Sequence, residues 1–214
     1  MLTGHRFGLF QEDEPRIGVV IGTGPSLTDE QVRIAKHFRT FGVNKAFQFD
    51  PDVLVGCNHQ FWDYYWPDVE GLRCHKWTTR PELEGKYQGL NYIREEWIDG
   101  LSTNKDYIAA HHGSGPQAVN IAYHYGCEII LLIGWDMRHK GDRHYFGEYP
   151  KPMQHFTKTL GPDGELTGLI KEMETIHPER YGIKIYNCTP GSALTCFPSR
   201  SISEFLTDSI ISKG

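Results

Sequence analysis

The sequence predicts an α/β fold in which a mostly parallel sheet is flanked by helices, and three observations carry that expectation. Ile17-Gly-Val-Val-Ile21 is a short β-branched run followed at once by the loop Gly22-Thr-Gly-Pro-Ser26 and then by a helix signal. Ile129-Ile-Leu-Leu-Ile133 is a second apolar run, preceded by a helical segment that Gly126 closes. Runs of this length bounded by turn residues read as strands buried on both faces, the setting of parallel strands between helices. Strand-like and helix-like stretches also alternate, which favours a parallel sheet over an antiparallel one.

Local signals order the elements. Thr28 and Gln31 stand three apart, the spacing of a capping box, and predict a helix running to about Arg39. Phe41 to Asn44 and Val53 to Cys57 read as strands, each ending in a small or polar residue. Phe61 to Trp66 (FWDYYW) reads as a helix whose aromatic cluster serves either as core or as a stacking platform for a base or sugar. Between Leu72 and Ala110 the pattern is mixed, and only a helix around Tyr92 to Ile98 is predicted. Ser114 and Gln117 form a second capping-box pair, opening a helix through Tyr125. From Gly134 to about Glu165 glycines and prolines interrupt a stretch too long for an idle connection, so residues 137–165 are expected to form a lid. A helix from about Leu166 to Ile176, a strand Ile183 to Tyr186 and a helix from Ser201, with Glu204 three positions on, complete the order. Residues 1–214 are read as one domain, long enough to bury about 70% of the unfolded surface.

Composition narrows the function classes. The longest uninterrupted aliphatic run, Ile129 to Ile133, is too short to span a bilayer, and Met1 to Pro15 carry Glu12, Asp13 and Glu14 where a secretory signal needs basic and then apolar residues. A cytoplasmic location is expected. The cysteines number five, are scattered and never form C-x-x-C, so they are read as reduced thiols and not as a disulfide or zinc framework. Net charge is −5 with no lysine or arginine run, which leaves nucleic-acid binding without an electrostatic footprint; self-association is left open.

Ligands of open parallel sheets sit beyond the carboxyl ends of the strands, so the residues just after each strand are the candidate site. The loop Gly22, Thr23, Gly24, Pro25, Ser26 is either a ligand cradle, with glycines admitting backbone amides and a helix N-terminus favouring an anion, or a plain tight turn. Leu27 stands where a dinucleotide fingerprint would have its third glycine, and Pro25 removes one amide donor. Asn44 and Asn58 offer amides that both donate and accept, or else serve as turn and cap residues. Gly113-Ser114-Gly115 starts another helix at the same edge, with Ser114 either capping or touching ligand. After Ile133 come Asp136, Arg138, His139, Lys140, Arg143 and His144, the densest ionisable group in the chain. Its cations suit a departing phosphate and its histidines suit proton transfer, against the plainer reading of a solvated basic loop. Asp136, His139, His144 and His155 match no established metal-ligand spacing, and no metal is expected.

These residues also carry a family resemblance. V-V-I-G-T-G-P-S-L (19–27), C-N-H-Q-F (57–61), G-S-G (113–115), E-I-I-L-L-I-G-W-D (128–136) and I-K-I-Y-N-C-T-P-G-S-A-L (183–194) resemble, in this order, the bacterial sialyltransferases that use CMP-sialic acid, a glycosyltransferase family 42-like group. The series is also similar to related phage-encoded proteins and to the archaeal pterin diphosphokinase group. The resemblance implies a Rossmann-like fold without the dinucleotide fingerprint and a metal-independent, inverting sugar transfer with no resident cofactor. It implies that Gly24, Pro25 and Ser26 lie by the nucleotide, that Asn44 and Asn58 meet donor phosphate or sugar, that Ser114 and Gly115 line the donor pocket, and that Ser192 faces the cytidine. The chain departs from the family at Thr23 (asparagine there), at His111 (a pocket arginine) and at Arg138 and His144, which replace the two tyrosines on the leaving phosphate. The lid base has no aligned counterpart; His155 lies nearest, with His144 the other candidate. The family's membrane-associating tail has no match here, so a soluble acceptor or partner is expected. Three readings follow: a glycosyltransferase moving a sugar from a CMP-linked donor to a hydroxyl, a diphosphokinase using ATP and Mg²⁺ on a pterin-like alcohol, and a non-catalytic nucleotide-binding phage accessory protein.

Overall fold

A computed structural model of the chain describes residues 10, 16–139, 144–153 and 163–211. Among these the order is β1 (Ile17–Ile21), α1 (Asp29–Ala35), β2 (Arg39–Val43), β3 (Val53–Val55), α2 (His59–Val69), β4 (His75–Thr78), β5 (Leu90–Tyr92), β6 (Arg94–Glu96), β7 (Tyr107–Ala109), α3 (Ser114–His124), β8 (Ile129–Ile133), α4 (Thr167–Glu174), β9 (Lys184–Asn187) and α5 (Ile202–Ile211). The main sheet has seven strands in the order β5-β4-β3-β2-β1-β8-β9, and every neighbouring pair is parallel. From β1 the chain lays strands outward on one side as far as β5, then returns to place β8 on the other side of β1. The order therefore reverses between β1 and β8, where the connections leave to opposite sides and open a crevice at the strand ends.

Alternation of side chains builds a layer on each face. Val20, Phe41, Val53, Val55, Trp77, Ile130 and Leu132 pack with Ala118, Val119, Ile121 and Ala122 of α3 and Met173 of α4. On the opposite face Val19, Ile21, Leu131 and Ile133 meet Ile34 and Ala35 of α1 and Ile202 and Phe205 of α5. Leu54 meets Phe61, Trp62, Tyr65 and Val69 of α2. The aromatic run is therefore mainly core, with Phe61 1% and Trp62 0% exposed and Tyr64, at 46%, facing water. Burying a side chain of this size contributes about 1.5–3 kcal/mol, which sets α2 firmly on β3.

Two helix starts turn out differently from one another. Thr28 caps α1 with the full reciprocal box: Gln31 N donates to its hydroxyl at 3.2 Å, and Thr28 N donates to Gln31 Oε1 at 3.1 Å. That helix ends at Ala35 and not near Arg39, which instead opens β2. Ser114 is not a cap: Gly113 holds that position, and the Ser114 hydroxyl is engaged elsewhere. The helix expected around Tyr92 to Ile98 is replaced by β5 and β6, with β6 pairing β7 in a separate two-stranded parallel sheet. Pairing with β4 and β7, and the burial of Ile93, override the helical preference of Arg-Glu-Glu. Among the described residues no helix is long and apolar enough to cross a membrane, and all five cysteines are free thiols.

Candidate functional site

The loops leaving β1 and β8 are zipped together at the point of reversal. Gly22 N donates to Ile133 O and Gly24 N to Gly134 O, both at 2.8 Å. Ser26 N and Oγ then donate to the Asp136 carboxylate, at 3.2 Å to Oδ1 and 2.9 Å to Oδ2. The glycines are explained by this contact: a Cβ at Gly24 would lie 1.9 Å from Asp136 Oδ2. The anion held by this loop is thus the chain's own carboxylate. Burial pushes the Asp136 pKa up, and the hydrogen bonds from Ser26 pull against that. The first turn of α1 likewise carries its own acids, Asp29 and Glu30.

A second set of bonds ties the ends of β2 and β3 to the start of α3. Asn44 lies just past β2 with φ 49°, a left-handed conformation that asparagine tolerates. Its Oδ1 accepts from Ser114 Oγ at 3.0 Å, and Ser114 Oγ accepts from Cys57 N at 2.8 Å. Asn58 caps α2 by accepting from Gln60 N at 2.9 Å. Gly115 lets the Trp135 ring close in, since a Cβ there would lie 3.0 Å from Cη2. The sequence could not reveal the Ser114 role, because its partners lie 57 and 70 residues away.

These segments surround one cavity of about 430 Å³, within the range of small-molecule sites. Gly22, Thr23, Gly24 and Pro25 line it from β1, Asn44 from β2, Asn58 from β3, Ser114 and Gly115 from α3, and Asp136, Arg138, His139 and His144 from beyond β8. Arg138 Nε is buried and has no hydrogen-bond partner among the described residues. The His144 ring stacks on Phe146 at 4.8 Å and 8°, and its Nδ1 lies 3.1 Å from Thr23 Oγ1. Tyr145 N donates to Thr23 O at 3.1 Å and Tyr145 Oη to Lys45 O at 2.9 Å, which fixes this stretch over the β1 and β2 ends.

No family model and no curated protein matches the sequence. Among solved structures, the monofunctional α-2,3-sialyltransferase Cst-I from Campylobacter jejuni superposes with a TM-score of 0.53 and 16% identity, over 91% of this chain and 83% of that one. The fold is sialyltransferase-like. At that identity the likeness is one of architecture.

Three expected site residues stand outside the cavity. Ser26 is turned to Asp136. Ser192, expected to face a cytidine, donates to Trp135 O and accepts from Leu194 N at 3.0 Å, which ties it to the loop after β8. His111 is buried with Nε2 3.1 Å from Gly100 O, and burial pulls its pKa down. His155, with Lys140 and Arg143, lies outside the described residues. Among the lining residues that the sequence did not single out are His112 and Glu172. His112 Nδ1 lies 2.6 Å from Glu172 Oε1, a pairing across 60 residues that leaves no local signal. No group of three or more metal-ligating side chains is arranged for a metal ion among the described residues.

Proposed function

We propose that this chain is a glycosyltransferase of the sialyltransferase-like type, moving a sugar from a CMP-linked donor to a hydroxyl acceptor. One observation carries the reading: segments following β1, β2, β3 and β8, with the start of α3, line a single cavity at the reversal of strand order, and a buried guanidinium nitrogen there lacks a partner among the described residues. An unpartnered buried donor on a cation is costly unless an anion completes it, and a nucleotide phosphate has the matching charge and acceptors.

In this reading the nucleotide lies along Gly24, Pro25, Ser114 and Gly115, with Asn44 and Asn58 turned to donor phosphate or sugar. The acceptor oxygen attacks the anomeric carbon, the bond from that carbon to the phosphate oxygen breaks, and CMP leaves with the electron pair. Arg138 and His144 take up the charge that develops on the phosphate, the role for which preorganised cations in a desolvated site are most effective. The transfer is read as metal-independent because this pair supplies that charge. Asp136 holds the β1 loop in register through Ser26 and keeps the floor of the cavity in place.

Thermal unfolding with added nucleotides tests the reading. CMP at about 100 times its Kd is expected to add about 2.7 kcal/mol of stability, with or without Mg²⁺. The Asn58→Ala variant, whose own melting point falls by the loss of a helix cap worth about 1 kcal/mol, is expected to show no further CMP shift. A Mg²⁺-dependent shift with ATP and none with CMP would replace this reading with a phosphoryl or diphosphoryl transfer.

A further inference from the structure

His112 and Glu172 form a pair that the proposed transfer has not yet used. His112 sits two positions before α3, and Glu172 reaches it from α4. The Glu172 carboxylate accepts from His112 N at 3.0 Å and faces its Nδ1 at 2.6 Å. With Nδ1–H donating to Oε1, the tautomer is fixed and Nε2 carries the free lone pair. The other carboxylate oxygen is buried, has no hydrogen-bond partner among the described residues, and lies 4.0 Å from His111 Nδ1. The Glu172 side chain is 15% exposed and that of His112 80%, so the carboxylate is anchored while the imidazole reaches solvent at the cavity edge. Beside it stands Trp97, 82% exposed, its ring centroid 6.5 Å from that of His112 with the planes at 65°. An indole left open to water beside a residue that lines the cavity offers a flat apolar face, against which the C–H face of a pyranose can rest.

We propose that His112 is the proton acceptor of the transfer, that Glu172 is its positioning residue, and that Trp97 is the platform for the acceptor, which is accordingly a glycoside. This rests on the glycosyltransferase reading and supplies its missing acceptor side. The acceptor oxygen forms its bond to the anomeric carbon, its proton passes to His112 Nε2, and the electron pair of the broken bond leaves on the phosphate oxygen. The resulting imidazolium lies against the Glu172 carboxylate, which favours the charged form as it develops.

The test follows CMP release from CMP-N-acetylneuraminate, with lactose or water as acceptor, alongside the thermal shift with CMP. His112→Ala is expected to lower kcat by about 100- to 10,000-fold while keeping the wild-type CMP shift, with free imidazole restoring part of the rate. Glu172→Gln, which keeps the shape and removes the charge, is expected to lower kcat about 10- to 100-fold at unchanged donor KM. Trp97→Ala is expected to raise the KM for lactose. A His112→Ala enzyme within about threefold of wild-type kcat overturns the assignment and leaves the glycosyltransferase reading standing, and so does a rate loss that imidazole does not relieve but that His155→Gln reproduces. A wild-type chain that neither binds CMP nor releases it from the donor overturns both.

Discussion

At Gly24 the space for a side chain is already taken: a methyl group would meet Asp136 Oδ2 at 1.9 Å and Gly134 O at 2.7 Å. The Gly24→Ala variant is therefore expected to part the β1 and β8 loops, lowering stability by about 1–3 kcal/mol in urea unfolding and abolishing the CMP shift. Asp136 gives a pH signature. Its folded-state pKa is raised above 3.8 by burial. The folded chain therefore holds that proton more tightly than the unfolded one. The stability linked to this group is fully present below 3.8 and is lost as pH rises through the raised value. Asp136→Asn removes the linkage, so the stability difference, variant minus wild type, is expected to rise with pH across that window and then level off; a difference independent of pH would contradict this. Residue-level reading of the sequence succeeded where a partner was three positions away, as at Thr28 and Gln31. It failed where partners were remote, as for Ser114 with Asn44 and Cys57, and for His112 with Glu172.

Elements were legible in proportion to their apolar content and length. β1 and β8 fall on their expected residues because each is a five-residue apolar run that only a doubly covered strand can use. The three-residue strands β5, β6 and β7 carry no such pattern and exist through the partners they find. One buried amide shows how that region is held. Asn120 on α3 accepts from Ser102 N at 2.8 Å and Ala109 N at 2.9 Å, and donates to Ser102 O at 3.1 Å. Asn120→Leu would leave these backbone groups buried and unpaired, at about 1–3 kcal/mol for each one. It is expected to lower the melting temperature sharply, and hydrogen exchange should show the amides of β7 opening first.

At the scale of the molecule the site is a consequence of strand order. Alternating strands and helices foretold a parallel sheet, but which strand neighbours which depends on pairings far apart in the chain, so the reversal between β1 and β8 became visible only in the folded structure. That reversal opens the cavity, and the loop after β1 and the long stretch after β8 bring Thr23, Arg138 and His144 to its lining. If a nucleotide phosphate completes Arg138, affinity must depend on the phosphate as well as on the base. Calorimetric titration of CMP and of cytidine into the wild-type chain and into Arg138→Ala puts this to the question. CMP is expected to bind the wild type about 10- to 100-fold more tightly than cytidine, and Arg138→Ala to erase that advantage while leaving cytidine unaffected. Equal affinity of CMP and cytidine for the wild type, or no binding of either, would contradict a nucleotide-sugar site at this strand reversal.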